Sequence, residues 1–284
     1  MSVSIAALEG FLRRNAVLVE ITGTKGSTPR ERGAWMVVSE NEMLGTIGGG
    51  QLEFIAMDTA RQMLRGGEKM RVLDVPLGPD IGQCCGGRVA LALSFLDGQK
   101  SKELLARHDA EMASWLPVYV MGAGHVGRAL AQALALLPVK VVIVDSRAGV
   151  FEGLPGNVET RVSVLPEAEV RKAPPGSSFV ILTHDHAEDF LIAREALLRE
   201  DALYVGMIGS KTKRATFATW LRGETGSATL AEKLICPIGN HIGDDKRPEV
   251  IAALVAAEIL VHTGQPLEGG FMDRCTTKQV AEGN

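Results

Sequence analysis

The sequence lacks any run of the roughly 20 apolar residues that a membrane-spanning helix requires. Its first residues, MSVSIAALEGFLRRN, place no long apolar core behind a basic start, so neither a membrane span nor a secretory leader is expected. Cysteine is scarce, with four in 284 residues. That is too few for a disulfide framework, and a reducing, cytoplasmic setting is the expectation. An excess of positive charge is also missing. Thirty basic side chains face 34 acidic ones, for a net charge of −4, which argues against a nucleic-acid binder. No internal repeat or low-complexity tract appears. Nucleophile elbow, Walker loop, Ser-His-Asp order, H-E-x-x-H and paired C-x-x-C are all absent, so no catalytic constellation is expected.

What is present points to two domains. The chain is long enough for them, and hydrophobic residues make up 46% of it. The expected fold class is α/β: a C-terminal Rossmann-like, doubly wound parallel sheet, preceded by a smaller N-terminal α+β domain. The expected boundaries are 1–98 for the first domain, 99–117 for a linker with a short helix, 118–264 for the Rossmann-like domain and 265–284 for a tail.

The organising stretch is 118–137, VYVMGAGHVGRALAQALALL. An apolar strand runs into Gly122-Ala123-Gly124-His125-Val126-Gly127, and an Ala/Leu-rich helix follows. Strand, glycine turn and helix together give G-x-G-x-x-G its meaning. The glycines allow a tight turn and the approach of a phosphate, and the helix start supplies free N–H donors. The next strand, 139–144, ends at Asp145, 18 residues beyond Gly127. An acid there typically accepts hydrogen bonds from a ribose hydroxyl.

In the first half, a short helix at 4–14 precedes strands at 16–22, 34–39, 70–75 and 88–96. Gly48, Gly49, Gly50 and Gln51 precede a helix at 52–64. Three successive glycines there form a backbone nest for an anion or a plain flexible connection. Cys84 and Cys85 lie among glycines in the loop GPDIGQCCGG. Their thiolates suit a soft metal or sulfur transfer; the alternative is two small half-buried residues.

In the second half, strands near 161–164, 179–183, 203–205 and 234–236 alternate with helices at 188–199, 211–221 and 248–262. Candidates gather beyond the strand ends: Asp145 and Arg147, then His184, Asp185 and His186, then Ser210 and Lys211, with Lys213 and Arg214 adding charge. The two histidines suit contact with the polar groups of a cofactor, and a metal is the weaker option. Ser210 and Lys211 at a helix start suit a phosphate; an ordinary capped helix is the alternative. His108, in the linker, is expected to be solvated.

These runs resemble the XdhC/CoxI family, the accessory proteins of xanthine dehydrogenase and related molybdenum hydroxylases. The matching segments are TKGSTPR at 24–30, GTIGGGQLE at 45–53, GQCCGG at 82–87, GAGHVG at 122–127, THDHAED at 183–189, GMIGSKTKR at 206–214 and CPIG at 236–239. They fall in the family's order. The resemblance implies a non-catalytic chaperone for the molybdenum cofactor, molybdenum held by the dithiolene of a phosphorylated pterin (Mo-molybdopterin). It protects the cofactor during sulfuration and delivers it to apo xanthine dehydrogenase. The implied partners are that dehydrogenase, a cysteine desulfurase, cofactor biosynthesis proteins and a second copy of the chain in a homodimer.

By that resemblance Gly48, Gly49, Gly50, Gln51, Cys84 and Cys85 meet the cofactor from one domain, with the two cysteines as candidate molybdenum contacts. Gly122, Gly124, His125, Gly127, Asp145, Arg147, His184, His186, Ser210 and Lys211 meet it, or a nucleotide, from the other. Two further readings stand beside this one: an NAD(P)-dependent oxidoreductase using the Rossmann turn, and an adaptor whose Rossmann domain only docks.

Overall fold

The computed structural model describes residues 5–78, 86–239 and 245–264. The chain divides into two compact units, Met1–Ser114 and Trp115–Asn284.

The first unit is a five-stranded antiparallel sheet with helices on both faces. Its elements are α1 (Ile5–Leu12), β1 (Ala16–Lys25), β2 (Trp35–Ser39), β3 (Met43–Gly45), α2 (Gly50–Gly66), β4 (Met70–Pro76), β5 (Arg88–Phe95) and α3 (Gly98–Ser114), and the strand order is β3-β2-β1-β5-β4. β1 is central and apolar on both faces because both are covered. Val17, Val19 and Ile21 point toward α2, which offers Leu52, Ala56, Ala60 and Met63 at helical spacing. Ala16 and Leu18 point the other way, toward Leu8 and Phe11 of α1 and Leu104 of α3. α2 stops at Gly67, whose left-handed conformation returns its N–H to Met63.

The expected linker at 99–117 is instead largely α3, part of the first unit. Its pattern reads as polar because few positions are buried: Leu104, and His108 at 4% exposure. His108 is therefore not solvated. Its ring stands edge-on to Trp35 at 6.4 Å between centroids.

The second unit is a three-layer α/β domain. Its parallel strands are β6 (Leu116–Met121), β7 (Val139–Asp145), β8 (Val158–Val162), β9 (Ser178–Ile181) and β10 (Tyr204–Met207), ordered β10-β9-β6-β7-β8. Numbered within the unit that is 5-4-1-2-3, the doubly wound Rossmann order, with its switch point between β6 and β9. α4 (His125–Leu134) and α8 (Pro248–His262) cover one face, where Leu130, Leu134, Val255 and Ile259 meet Val118, Val120 and Ile143. α5 (Pro166–Lys172), α6 (His186–Leu198) and α7 (Lys211–Thr225) cover the other, through Val170, Ile192, Phe217 and Leu221 against Tyr119, Val144 and Phe179. Strands buried on both faces read as unbroken apolar runs, which is why VVIV in β7 shows no alternation.

The expected strand at 234–236 is reduced to one bridge between Ile235 and Gly206, because a 3-10 turn at Leu230–Lys233 ends just before it. β8 begins three residues earlier than the pattern implied, and α5 was not anticipated. α8 buries an acid, Glu258, whose carboxylate accepts from the Tyr204 hydroxyl at 2.6 Å and from the Gly239 N–H at 3.0 Å. Among the described residues no helix is long and apolar enough to cross a membrane.

Candidate functional site

Two glycine-rich turns carry the candidate chemistry, one in each unit.

In the first unit, three segments that are distant in sequence meet at one end of the sheet. Gly48, Gly49 and Gly50 have φ of 125°, 83° and 65°, a succession that side chains resist. Gly49, with ψ of −177°, sits in a region essentially reserved for glycine. Residues 46–48 are pinned from within α2. The Glu53 carboxylate accepts from the Thr46 hydroxyl at 2.5 Å and from the Ile47 N–H at 3.1 Å, while the Gly48 N–H donates to Thr46 Oγ1 at 3.1 Å.

The loop after β1 closes onto this turn, since a Cβ on Gly48 would lie 2.5 Å from the Pro29 ring. The same loop meets the base of the cysteine loop. Ser27 bridges to Gly86, and a Cβ on Gly87 would lie 2.1 Å from the Ser27 carbonyl oxygen. Leu77 and Gly86 seal that base: the Gly86 N–H donates to Leu77 O, and the Leu77 N–H to Gly87 O, both at 2.8 Å. Cys84 and Cys85 lie outside the described residues.

The result is an uncapped helix start. α2 has no side-chain cap, Gly50 and Gln51 are exposed, and no atom lies within 4 Å of a Cβ built on Gly49. The first-turn N–H groups of a helix have no intrahelical acceptors and carry its positive pole, an arrangement suited to phosphate.

In the second unit the three fingerprint glycines have separate jobs. A Cβ on Gly122 (φ 113°) would lie 2.6 Å from the Leu182 carbonyl oxygen, and one on Gly127 would lie 1.9 Å from the Gly122 carbonyl oxygen. These two permit close packing of turn, strand and helix. Gly124 has open space at its Cβ position and caps α4 without a side chain, so it is the point where a ligand can reach the backbone. His125 is exposed as the first residue of α4.

Asp145 bolts the turn to the end of β7. One carboxylate oxygen accepts from the Ala123 N–H at 2.8 Å and from Arg147 Nη2 at 3.0 Å. The other accepts from the Arg147 N–H at 3.0 Å and Nε at 2.9 Å. Burial would raise its pKa, but the bonds from Arg147 and the Ala123 N–H outweigh this and hold it down at about 2. A carboxylate offers about four acceptor positions, and all are taken. Asp145, as placed, is a structural acid whose acceptor positions are occupied, two of them by the half-exposed side chain of Arg147.

Beside them, Gly122, Asp145, Thr183, His184 and Glu188 border a cavity of about 10 Å³, roughly the space of one water. Burial raises the pKa of Glu188 there. Asp185 is the N-cap of α6, accepting from the Ala187 N–H at 2.7 Å. His184 and His186 are both exposed. Among the described residues no three His, Cys, Asp or Glu side chains could hold a metal ion.

Ser210 caps α7 by accepting from the Lys213 N–H at 3.2 Å, and Lys211 is exposed. Lys213 is committed elsewhere: its ammonium pairs with fully buried Asp189 and donates to Ile208 O at 3.0 Å. Asp189 in turn accepts from the Thr183 hydroxyl at 2.6 Å. This buried pair ties the loop after β9 to the loop after β10. Glu53, Pro29 and Ser27 were not singled out as site residues by sequence reasoning. Their signal was present only as membership of matching runs.

The XdhC Rossmann domain model matches residues 118–259, and the XdhC and CoxI family model matches residues 12–75. YqeB of Escherichia coli (strain K12), an uncharacterized protein, is 28% identical over 267 residues. The match takes in 90% of this chain but 44% of YqeB, so the chain spans less than half of that relative's length. A crystal structure of a protein from Bacillus halodurans, called a xanthine dehydrogenase, shares the fold with a TM-score of 0.74 at 20% identity, over 94% of this chain and 98% of the other. The parallel sheet in Rossmann order, the glycine turn at its switch point and both family matches lead to one assignment: the chain belongs to the XdhC/CoxI family.

Proposed function

We propose that this protein is a non-catalytic carrier of the molybdenum cofactor, which shields the cofactor during sulfuration and passes it to apo xanthine dehydrogenase. The observation that carries this reading is the turn at 46–50. It is a rigid anion cradle, held by Glu53 and Pro29, at an uncapped helix start in a member of the XdhC/CoxI family. The described residues fit the phosphate of a phosphorylated pterin, because α2 and α4 each start without a side-chain cap and the Cβ positions of Gly49 and Gly124 are open. When bound, the cofactor supplies the molybdenum centre and its exchangeable oxo or sulfido ligand. The protein's share is to bind and orient the phosphate, keep the reactive centre from water and bring it to its partners. Cys84 and Cys85 are the residues proposed to face the metal or the incoming sulfur. A cysteine desulfurase, cofactor biosynthesis proteins and a second copy of the chain are the proposed partners.

The strand order and the glycine fingerprint favour a second reading, nucleotide binding by the second unit with NAD(P)-dependent chemistry. The saturated Asp145 and the one-water cavity beside it weigh against that reading. The test is transfer. Cofactor-loaded protein added to apo xanthine dehydrogenase under anaerobic conditions should restore dehydrogenase activity, and the Cys84→Ala/Cys85→Ala double variant should restore less while staying folded. Equal restoration by the double variant would remove the cysteines from the site. No restoration by the wild type, together with an NAD(P)H absorbance change on a candidate substrate, would replace the carrier reading.

A further inference from the structure

The second unit holds a larger cleft that shares no lining residue with the cavity beside Gly122. It is an open cleft of about 760 Å³, large enough for a small molecule. One side is a stripe of α7. Lys211, Arg214, Ala215, Ala218 and Arg222 recur at helical spacing and extend over roughly 16 Å of helix. The opposite side is apolar, made by Ala231, Leu234, Cys236 and Pro237, with Glu232 at its rim.

The three cations are exposed, and none of their side chains has a hydrogen bond or ion pair among the described residues. The lining therefore carries three positive charges against one negative. Elsewhere in the unit Arg147, Arg161, Arg171, Arg194 and Arg199 are paired with acids.

We infer that this cleft binds a ring-bearing phosphate monoester. Lys211 and Arg214 stand together in the first turn of α7, where the helix pole adds to their charge, so the doubly charged phosphate belongs at that end. Ala215 and Ala218 put only small side chains between the cations, which leaves room for a planar ring. Arg222 offers a guanidinium face for stacking, and Glu232 accepts from ring N–H or hydroxyl groups. The buried Cys236 thiol, its pKa raised by burial, serves as an apolar part of the wall.

The test uses the full-length chain and two ring-bearing probes, FMN followed by fluorescence polarisation and AMP as competitor, with inorganic phosphate alongside. FMN should bind, AMP should displace it, and phosphate should compete only at far higher concentration. Arg214→Glu should weaken binding by about tenfold or more. Ala215→Trp, at an exposed position that fills the cleft without disturbing the core, should do the same with unfolding unchanged. No binding of either probe at low salt, or binding untouched by both substitutions, overturns the assignment. Neither substitution touches the two glycine turns. Molybdenum retention that Arg214→Glu leaves unchanged, in a wild type that ignores FMN and AMP, would therefore defeat the cleft alone; FMN binding lost in Arg214→Glu, in a wild type that retains no molybdenum, would defeat the carrier reading alone.

Discussion

The two glycine turns look alike in sequence and are built on different physics. At 48–50 all three glycines have positive φ; Gly48 also meets the Pro29 ring, and at Gly49 conformation acts alone. Gly49 has empty space where a side chain would go, yet its backbone angles exclude one. At 122–127 the outer glycines are there for close packing, to which Gly122 adds a positive φ. Gly127 belongs to the regular α4 helix, but a methyl group would collide with the Gly122 carbonyl. The middle glycine, Gly124, has neither constraint, having an ordinary φ of −72° and open space. The anchoring acids differ as well. Glu53 reaches back from inside its helix, whereas Asp145 reaches across from the next strand. Substitutions can therefore separate conformation, packing and ligand access.

The largest effect is expected at Gly127. Gly127→Ala forces a methyl against a backbone carbonyl and should cost about 3 kcal/mol, read as a fall in the unfolding midpoint of the second unit. An unchanged midpoint would mean that α4 and β6 are not so closely packed. Gly49→Ala should cost about 2 kcal/mol through backbone angles alone, although it meets no atom. Larger residues at this position should cost little more, and a steep dependence on side-chain size in chemical denaturation would contradict a purely conformational role.

Asp145→Asn should lose about 2 kcal/mol, the value of a carboxylate held at about 2 against an ordinary 3.8. Because the folded-state pKa is the lower one, this stability is present above about pH 4 and fades as pH falls toward about 2. Urea titrations across that window should show the slope in the wild type and a shallower one in the variant. The smallest change in stability is expected at Gly124. Gly124→Ala should stay within about 0.5 kcal/mol of wild type while weakening any anion bound at the start of α4, which equilibrium dialysis would detect.

What the sequence made legible was local. The run from β6 through the turn into α4 is contiguous, so period and glycine spacing reveal it. The alternation of strands and helices that follows identifies the doubly wound sheet. The turn at 46–50 could be suspected as an anion site but not built, because Pro29 reaches it from another loop, which Ser27 ties to Gly86 and Gly87. The commitment of Lys213 to Asp189, 24 residues away, is equally invisible in a one-dimensional pattern, which shows only a cation near a phosphate-like turn. α3 resembled a linker because two buried positions in 17 residues leave too thin an apolar stripe to read. The ribose role expected for Asp145 followed from spacing, and spacing does not report that Arg147 and Ala123 already fill the carboxylate.

The proposed hold of the first unit's turn on a cofactor phosphate is open to experiment. Its most direct test is to mix the purified chain with molybdenum cofactor anaerobically, desalt, and quantify the molybdenum and pterin that co-elute with wild type and with Gly49→Ala. Near-stoichiometric retention by the wild type and a marked loss in the folded variant are expected. A wild type that elutes folded but free of molybdenum and pterin would contradict the proposed hold.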